Sequence, residues 1–128
     1  MSSAVVLDAS AIIAVIKEEP GHEAVMPFIR NAVVLSVNFS EAVAYFAKHI
    51  VDDQVVSKVV QPFARAVVPY GFEESFLAGK LIRDTQQHGL SLGDRACIAL
   101  GMVRKTSVIT TDRAWAQLDV PIEIKLIR

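Results

Sequence analysis

Ala4-Val5-Val6-Leu7-Asp8-Ala9-Ser10-Ala11-Ile12-Ile13 decides the fold. A short apolar run rich in β-branched residues predicts a buried strand. The acid and small residues that follow predict a turn into a helix, Ala9 to Glu19, stopped by Pro20-Gly21. The pattern recurs down the chain. Val33 to Val37 predicts a second strand, after which Asn38 is expected to cap a helix carrying Val43, Phe46, Ala47 and Ile50 at helical spacing. Ala66 to Pro69, Val108 to Thr110 and Ile122 to Ile127 predict three more strands. Further helices are expected from His22 to Asn31, from Asp52-Asp53 through Phe63, from Glu73 to His88 with Gly89 closing it, and from Ser91 to Arg104. Ser91 to Arg104 is the most apolar of these and is expected to be buried. Strands alternating with helices predict an α/β fold, with a mostly parallel sheet covered on both faces.

The 128 residues suit one domain, 1–128. A hydrophobic content of 52% excludes a disordered chain. The single cysteine, Cys97, excludes an intrachain disulfide and suits a reducing, cytoplasmic setting. Met1-Ser2-Ser3 has no basic region, so no signal peptide is expected. No apolar run approaches ~18 residues, so no membrane span is expected. A net charge of −1 argues against a strong nucleic-acid footprint. With four acids set aside for metal, however, 13 basic residues face 10 acidic ones, a balance that permits RNA binding.

Those four acids are Asp8, Glu41, Asp94 and Asp112. Three follow strand-like runs and the fourth, Asp94, lies at a helix start. In an open α/β sheet, positions past the carboxyl ends of parallel strands converge on one crevice. Four carboxylates there, without a cysteine or histidine cluster, suit a hard cation such as Mg²⁺ or Mn²⁺. Each acid also has a plain structural role open to it. Asp8 and Asp112 suit helix caps, while Asn38-Phe39-Ser40-Glu41 and Ser91-Leu92-Gly93-Asp94 resemble capping boxes. A helix N-terminus favours an anion by only about 0.3–1 kcal/mol. Two carboxylates about 4 Å apart repel by roughly 4 kcal/mol at an effective dielectric of 20. Capping alone therefore cannot explain a cluster. Ser10 and Thr110 are placed to orient the carboxylates or metal-bound water.

In sequence order, Val5-Val6-Leu7-Asp8-Ala9-Ser10-Ala11, Asn38-Phe39-Ser40-Glu41-Ala42, Leu90 to Ala99 around Asp94, and Ile109-Thr110-Thr111-Asp112-Arg113-Ala114-Trp115 resemble the four signatures of PIN domains. Among these the chain is most similar to the VapC-type ribonuclease toxins of toxin–antitoxin systems. The resemblance covers essentially the whole chain. It implies a three-layer α/β/α sandwich and Mg²⁺- or Mn²⁺-dependent endoribonuclease activity. It also implies inhibition by a small VapB-type antitoxin, and gives the metal-site role to Asp8, Glu41, Asp94 and Asp112. Arg95 departs from the family's usual alanine after the third acid.

The chemistry expected is hydrolysis of an RNA phosphodiester by metal-activated water, leaving 5′-phosphate and 3′-hydroxyl ends. Arg95 and Arg113 each adjoin a site acid and are the expected RNA contacts. The three histidines have no metal-ligand spacing, while Cys97 and Trp115 are expected to pack. Apolar stripes at Ile12 to Ile16 and Val55 to Phe63 could serve an antitoxin helix or a homodimer; core burial explains them equally. Two alternatives stay open: an RNA-processing nuclease of the same fold without a toxin role, and a non-catalytic metal-binding regulatory module. An aspartate-based phosphatase fits poorly, because the second aspartate it needs is replaced by Ala9-Ser10.

Overall fold

The computed structural model describes residues 4–128. The expectation about Met1-Ser2-Ser3 lies outside them. The strands are β1 (Val6–Leu7), β2 (Val34–Leu35), β3 (Val67–Val68), β4 (Val108–Thr110) and β5 (Ile124–Leu126). Every pairing is parallel, in the ladders β1-β4-β5 and β2-β3. A parallel bridge between Val6 and Val33 joins the two ladders, backed by Leu7 N donating to Val33 O at 2.9 Å. The spatial order is therefore β3-β2-β1-β4-β5. The chain builds outward from β1 on one side, then crosses to build on the other. That reversal opens a crevice past the carboxyl ends of β1 and β4.

The helices are α1 (Ala9–Lys17), α2 (Ser36–His49), α3 (Asp53–Val60), α4 (Phe72–Lys80), α5 (Ile82–Thr85) and α6 (Leu92–Arg104). Strand side chains alternate between two core layers, as their period of two requires. Val5, Leu7, Val34 and Ile109 pack with Ala11, Ile12 and Ala14 of α1. Val6, Leu35 and Val108 pack with Ala96, Cys97, Ile98, Ala99 and Leu100 of α6. A sheet covered on both faces follows, and the α/β/α sandwich with it. Phe46 of α2 joins Val56 and Val60 of α3 in a smaller third cluster. Among the described residues, no helix is long and apolar enough to cross a membrane.

Several boundaries differ from the sequence expectation. His22 to Asn31 is not one helix but two 3₁₀ segments, His22–Ala24 and Met26–Asn31. Pro27 sits in the first turn of the second segment and supplies no backbone N–H to continue a helix from the first. The expected helix from Glu73 to His88 is interrupted at Leu81, where Thr85 Oγ1 donates back to Leu81 O at 2.7 Å, a bond that bends helices. Asn38 is not a cap. The helix begins two residues earlier, at Ser36, with Leu35 in the cap position. Ser36 Oγ instead accepts from Tyr70 N at 3.2 Å, tying the start of α2 to the end of β3.

Gly21 shows how tightly the C-terminal strand closes the structure. Its φ is +95°, and a Cβ there would overlap the carbonyl oxygen of Ile127. Backbone cannot yield as a flexible side chain can. Gly21→Ala is expected to destabilise the fold by at least about 2 kcal/mol, read from its urea midpoint. An unchanged midpoint would contradict the packing of residue 127 on this turn.

Candidate metal centre

Asp8 ends β1 and caps α1. Its Oδ1 accepts from Ala11 N at 2.8 Å and from Ser10 Oγ at 2.6 Å, while Oδ2 accepts from Thr110 Oγ1 at 2.5 Å. The same hydroxyls reach further. Ser10 Oγ accepts from Thr111 N at 3.0 Å, and Thr110 Oγ1 from Asp112 N at 3.1 Å. Ser10 and Thr110 thus lash the end of β1 to the end of β4 through the Asp8 carboxylate. Asp8 is only 7% exposed. Burial pushes its carboxyl up to about 6; the hydrogen bonds from Ser10, Thr110 and Ala11 pull the other way, and the nearby charge of Asp94 pushes it up further.

Asp94 lies in the first turn of α6 and forms a capping box with Ser91: Ser91 N donates to its Oδ2, and its own N donates to Ser91 Oγ, both at 3.1 Å. Asp112 caps the short 3₁₀ segment Arg113–Gln117, with Oδ1 accepting from Ala114 N at 3.0 Å. Glu41 does not cap. It projects from α2, and its Oε1 accepts from Asn38 Nδ2 at 2.9 Å.

All four acids line one crevice of about 320 Å³, with Ser10, Asn38, Ala9 and Ile13. None of these lining residues is basic. The acids also act together on a buried atom: burial, then the fields of Asp8, Asp94 and Glu41, drive the Cys97 thiol well above its usual range. Cys97 itself is buried packing, as is Trp115. A larger cavity of about 590 Å³, lined by Lys105, Ser107, Ile122 and Glu123 among others, lies at the amino-terminal ends of β4 and β5. It brings together no pair of acids and sits at the opposite edge from the switch point.

The donor set fits a hard cation: four carboxylates, hydroxyls beside them, and no basic residue among those lining the crevice. Asn38 also lines the crevice, and its Oδ1 is buried and accepts from nothing among the described residues. As the side chains stand, no three Asp, Glu, His or Cys groups among the described residues are gathered to hold one ion. Each carboxylate accepts from a nearby donor: Ala11 N for Asp8, Asn38 Nδ2 for Glu41, Ser91 N for Asp94 and Ala114 N for Asp112.

The arginines are not brought into the crevice. Arg95 Nη1 donates to Ala78 O at 2.7 Å, clamping α6 to α4. Arg113 is exposed, with Nε donating to Arg128 O at 3.3 Å. The apolar stripes read as partner surfaces are mostly core: Ile12, Val56, Val60 and Phe63 are buried. The large exposed apolar side chains lie chiefly elsewhere, at Phe72, Phe76, Ile82 and Leu92. Asn38, to which the sequence pattern gave only a capping role, lines the crevice, and Gly93 lies against the Glu41 carboxylate.

A family model described as PIN domain matches residues 5–121. The chain belongs to the PIN domain family. This PIN domain shares its fold with several solved structures. One is DNA-bound VapBC from Salmonella typhimurium, 20% identical, with a TM-score of 0.76 over 96% of this chain and 98% of that one. VapBC2 from Rickettsia felis, bound to a DNA fragment from its promoter, is 12% identical, with a TM-score of 0.73 over 94% and 98%. VapBC-5 from Mycobacterium tuberculosis is 19% identical, with a TM-score of 0.68 over 98% and 100%. At these identities the likeness establishes the fold of the PIN domain. Sequence comparison with curated proteins gives no significant match.

Proposed function

We propose that this PIN domain is a metal-dependent endoribonuclease acting as the toxin of a type II toxin–antitoxin system. One observation carries the nuclease reading: acids from four separate segments line a single crevice with no basic residue in its wall. Asp8, Asp94 and Asp112 would hold Mg²⁺ or Mn²⁺, with Glu41 contributed from α2. A cation held there would neutralise charge on the phosphodiester and lower the pKa of water enough to make it a nucleophile at neutral pH. Ser10 and Thr110 fix the Asp8 carboxylate from both sides, so it meets a ligand in one orientation. Arg113, adjacent to Asp112 in sequence and exposed, would contact an RNA phosphate; Arg95 donates to Ala78 O instead. The toxin role, a VapB-type antitoxin partner and self-association as a homodimer rest on the shared fold with VapBC structures. An exposed pair of rings, Phe72 and Phe76 with centroids 6.1 Å apart, supports a partner-covered surface.

The test is cleavage of a total-RNA pool by purified protein with Mg²⁺ or Mn²⁺, with sequencing of the new 5′ ends. Discrete cuts bearing 5′-phosphates are expected, abolished by EDTA and quenched by the small protein encoded alongside. Cuts that survive EDTA, or that leave cyclic phosphates, would overturn the mechanism. Cleavage indifferent to the neighbouring gene product would remove the toxin role and leave the RNA-processing alternative. A monomer mass that does not rise with concentration would remove the homodimer.

A further inference from the structure

Asn38 is polar, 1% exposed and set in the first turn of α2, where a side-chain amide has no helical duty. Its Nδ2 donates twice: to Glu41 Oε1 at 2.9 Å and to the backbone oxygen of Gly93, in α6, at 3.0 Å. Both partners are acceptors only, which fixes the amide orientation. Turned over, the carbonyl oxygen would face two acceptors. The consequence is that Oδ1 is buried without a donor. A buried amide oxygen left unmatched costs on the order of 1–3 kcal/mol, so the group is held here at the expense of stability.

The same spot is crowded from α6. A Cβ on Gly93 would overlap Glu41 Oε2 and lie 2.8 Å from Glu41 Cδ. The Glu41 carboxylate therefore rests directly on the backbone of the first turn of α6, one residue before Asp94. Glu41 is otherwise an exposed side chain on a helix surface, free to take several rotamers. Asn38 from below and the bare backbone of Gly93 alongside restrict it to one.

We propose that Asn38 is the positioning residue for Glu41: it pins the Glu41 carboxylate in the notch at Gly93, beside Asp94, so that α2 contributes its acid to the same cation as the strand-end acids. The inference rests on the metal-site reading of the crevice and adds to it a residue outside the four acids. A plainer role, tying α2 to α6 through Gly93 O, makes a different prediction, because that tie does not involve Glu41.

A double-mutant cycle separates them. Mn²⁺ affinity is measured by electron paramagnetic resonance titration on wild type, Asn38→Ala, Glu41→Ala and the double variant, with thermal melts to verify folding. If Asn38 acts through Glu41, Asn38→Ala weakens Mn²⁺ binding about tenfold in the wild-type background and changes it less than about twofold when Glu41 is already alanine. Gly93→Ala, which displaces the same carboxylate by volume, is expected to show the same dependence on Glu41. Equal losses in both backgrounds, or no loss from Asn38→Ala, would overturn the proposal. So would wild-type Mn²⁺ affinity in Glu41→Ala, even with Asp94→Asn defective; the metal site would then stand without this residue. Wild-type protein that takes up no Mn²⁺ would overturn the metal-site reading and this inference together.

Discussion

Asp94→Asn protein is expected to keep its fold and to lose RNA cleavage by at least about a hundredfold, the upper range for residues that merely support metal ligands. The substitution keeps the shape of the side chain and removes its charge. An asparagine carbonyl can still accept from Ser91 N, so the capping box at the start of α6 survives. Losing a negative charge at a helix N-terminus costs about 0.3–1 kcal/mol. Asp94 also raises the Asp8 carboxyl, so removing its charge relieves repulsion inside the crevice. The two changes oppose one another, and the melting temperature of the metal-free protein is expected to stay within a few degrees of wild type. Stability and activity are thus expected to separate at this position. A verified Asp94→Asn preparation that cuts RNA at the wild-type rate would remove Asp94 from the site.

The fold was legible because its strands announce themselves twice. Val5-Val6-Leu7 and Val108-Ile109-Thr110 are buried on both faces, so they read as largely apolar runs, the first followed by Asp8 and the second ending on Thr110 at the switch point. What failed was local chemistry decided by distant contacts. Asn38 has strong cap preference, and in isolation the cap is the better use of it. In the folded chain its amide is drawn to Gly93, 55 residues away, a contact that no window around Asn38 could reveal. Arg95 misled in the same way: adjacent to a site acid in sequence, its guanidinium is taken by a carbonyl on α4.

The acids show why a capping pattern and a functional site are not competing explanations. Asp8, Asp94 and Asp112 each accept a backbone N–H at a helix start and line the common crevice. Parallel strands deliver their carboxyl ends to one edge, and the helices that follow begin there. An acid at such a junction can cap its own helix and line the crevice at once. Glu41 is the exception, coming from the side of α2. Its side-chain donor is Asn38, as Ser10 and Thr110 are for Asp8.

The metal-free protein is expected to lose stability as the pH rises from 4 to 8, with Asp8 as the main cause. In the folded chain the Asp8 carboxyl gives up its proton near 6, against 3.8 for an unperturbed aspartate. Between those values the folded state holds a proton that the unfolded state has released. Stability therefore falls with rising pH across this window, and the contribution is complete below about 4 and lost above about 6. Two pH units of displacement correspond to roughly 3 kcal/mol. Other carboxylates titrate over the same range, so the informative quantity is the difference between wild type and Asp8→Asn. The variant carries no charge into the buried position at any pH. In EDTA it is expected to be more stable than wild type by up to about 3 kcal/mol at pH 8, and the gap should close near pH 4. Urea midpoints collected at half-unit intervals would trace that closure. Added Mg²⁺ should narrow the gap at pH 8 from the other side, because a bound cation stabilises only the protein that retains the Asp8 carboxylate. Parallel pH profiles for the two proteins would mean that Asp8 releases its proton over the same range folded as unfolded, and that burial does not set its proton affinity.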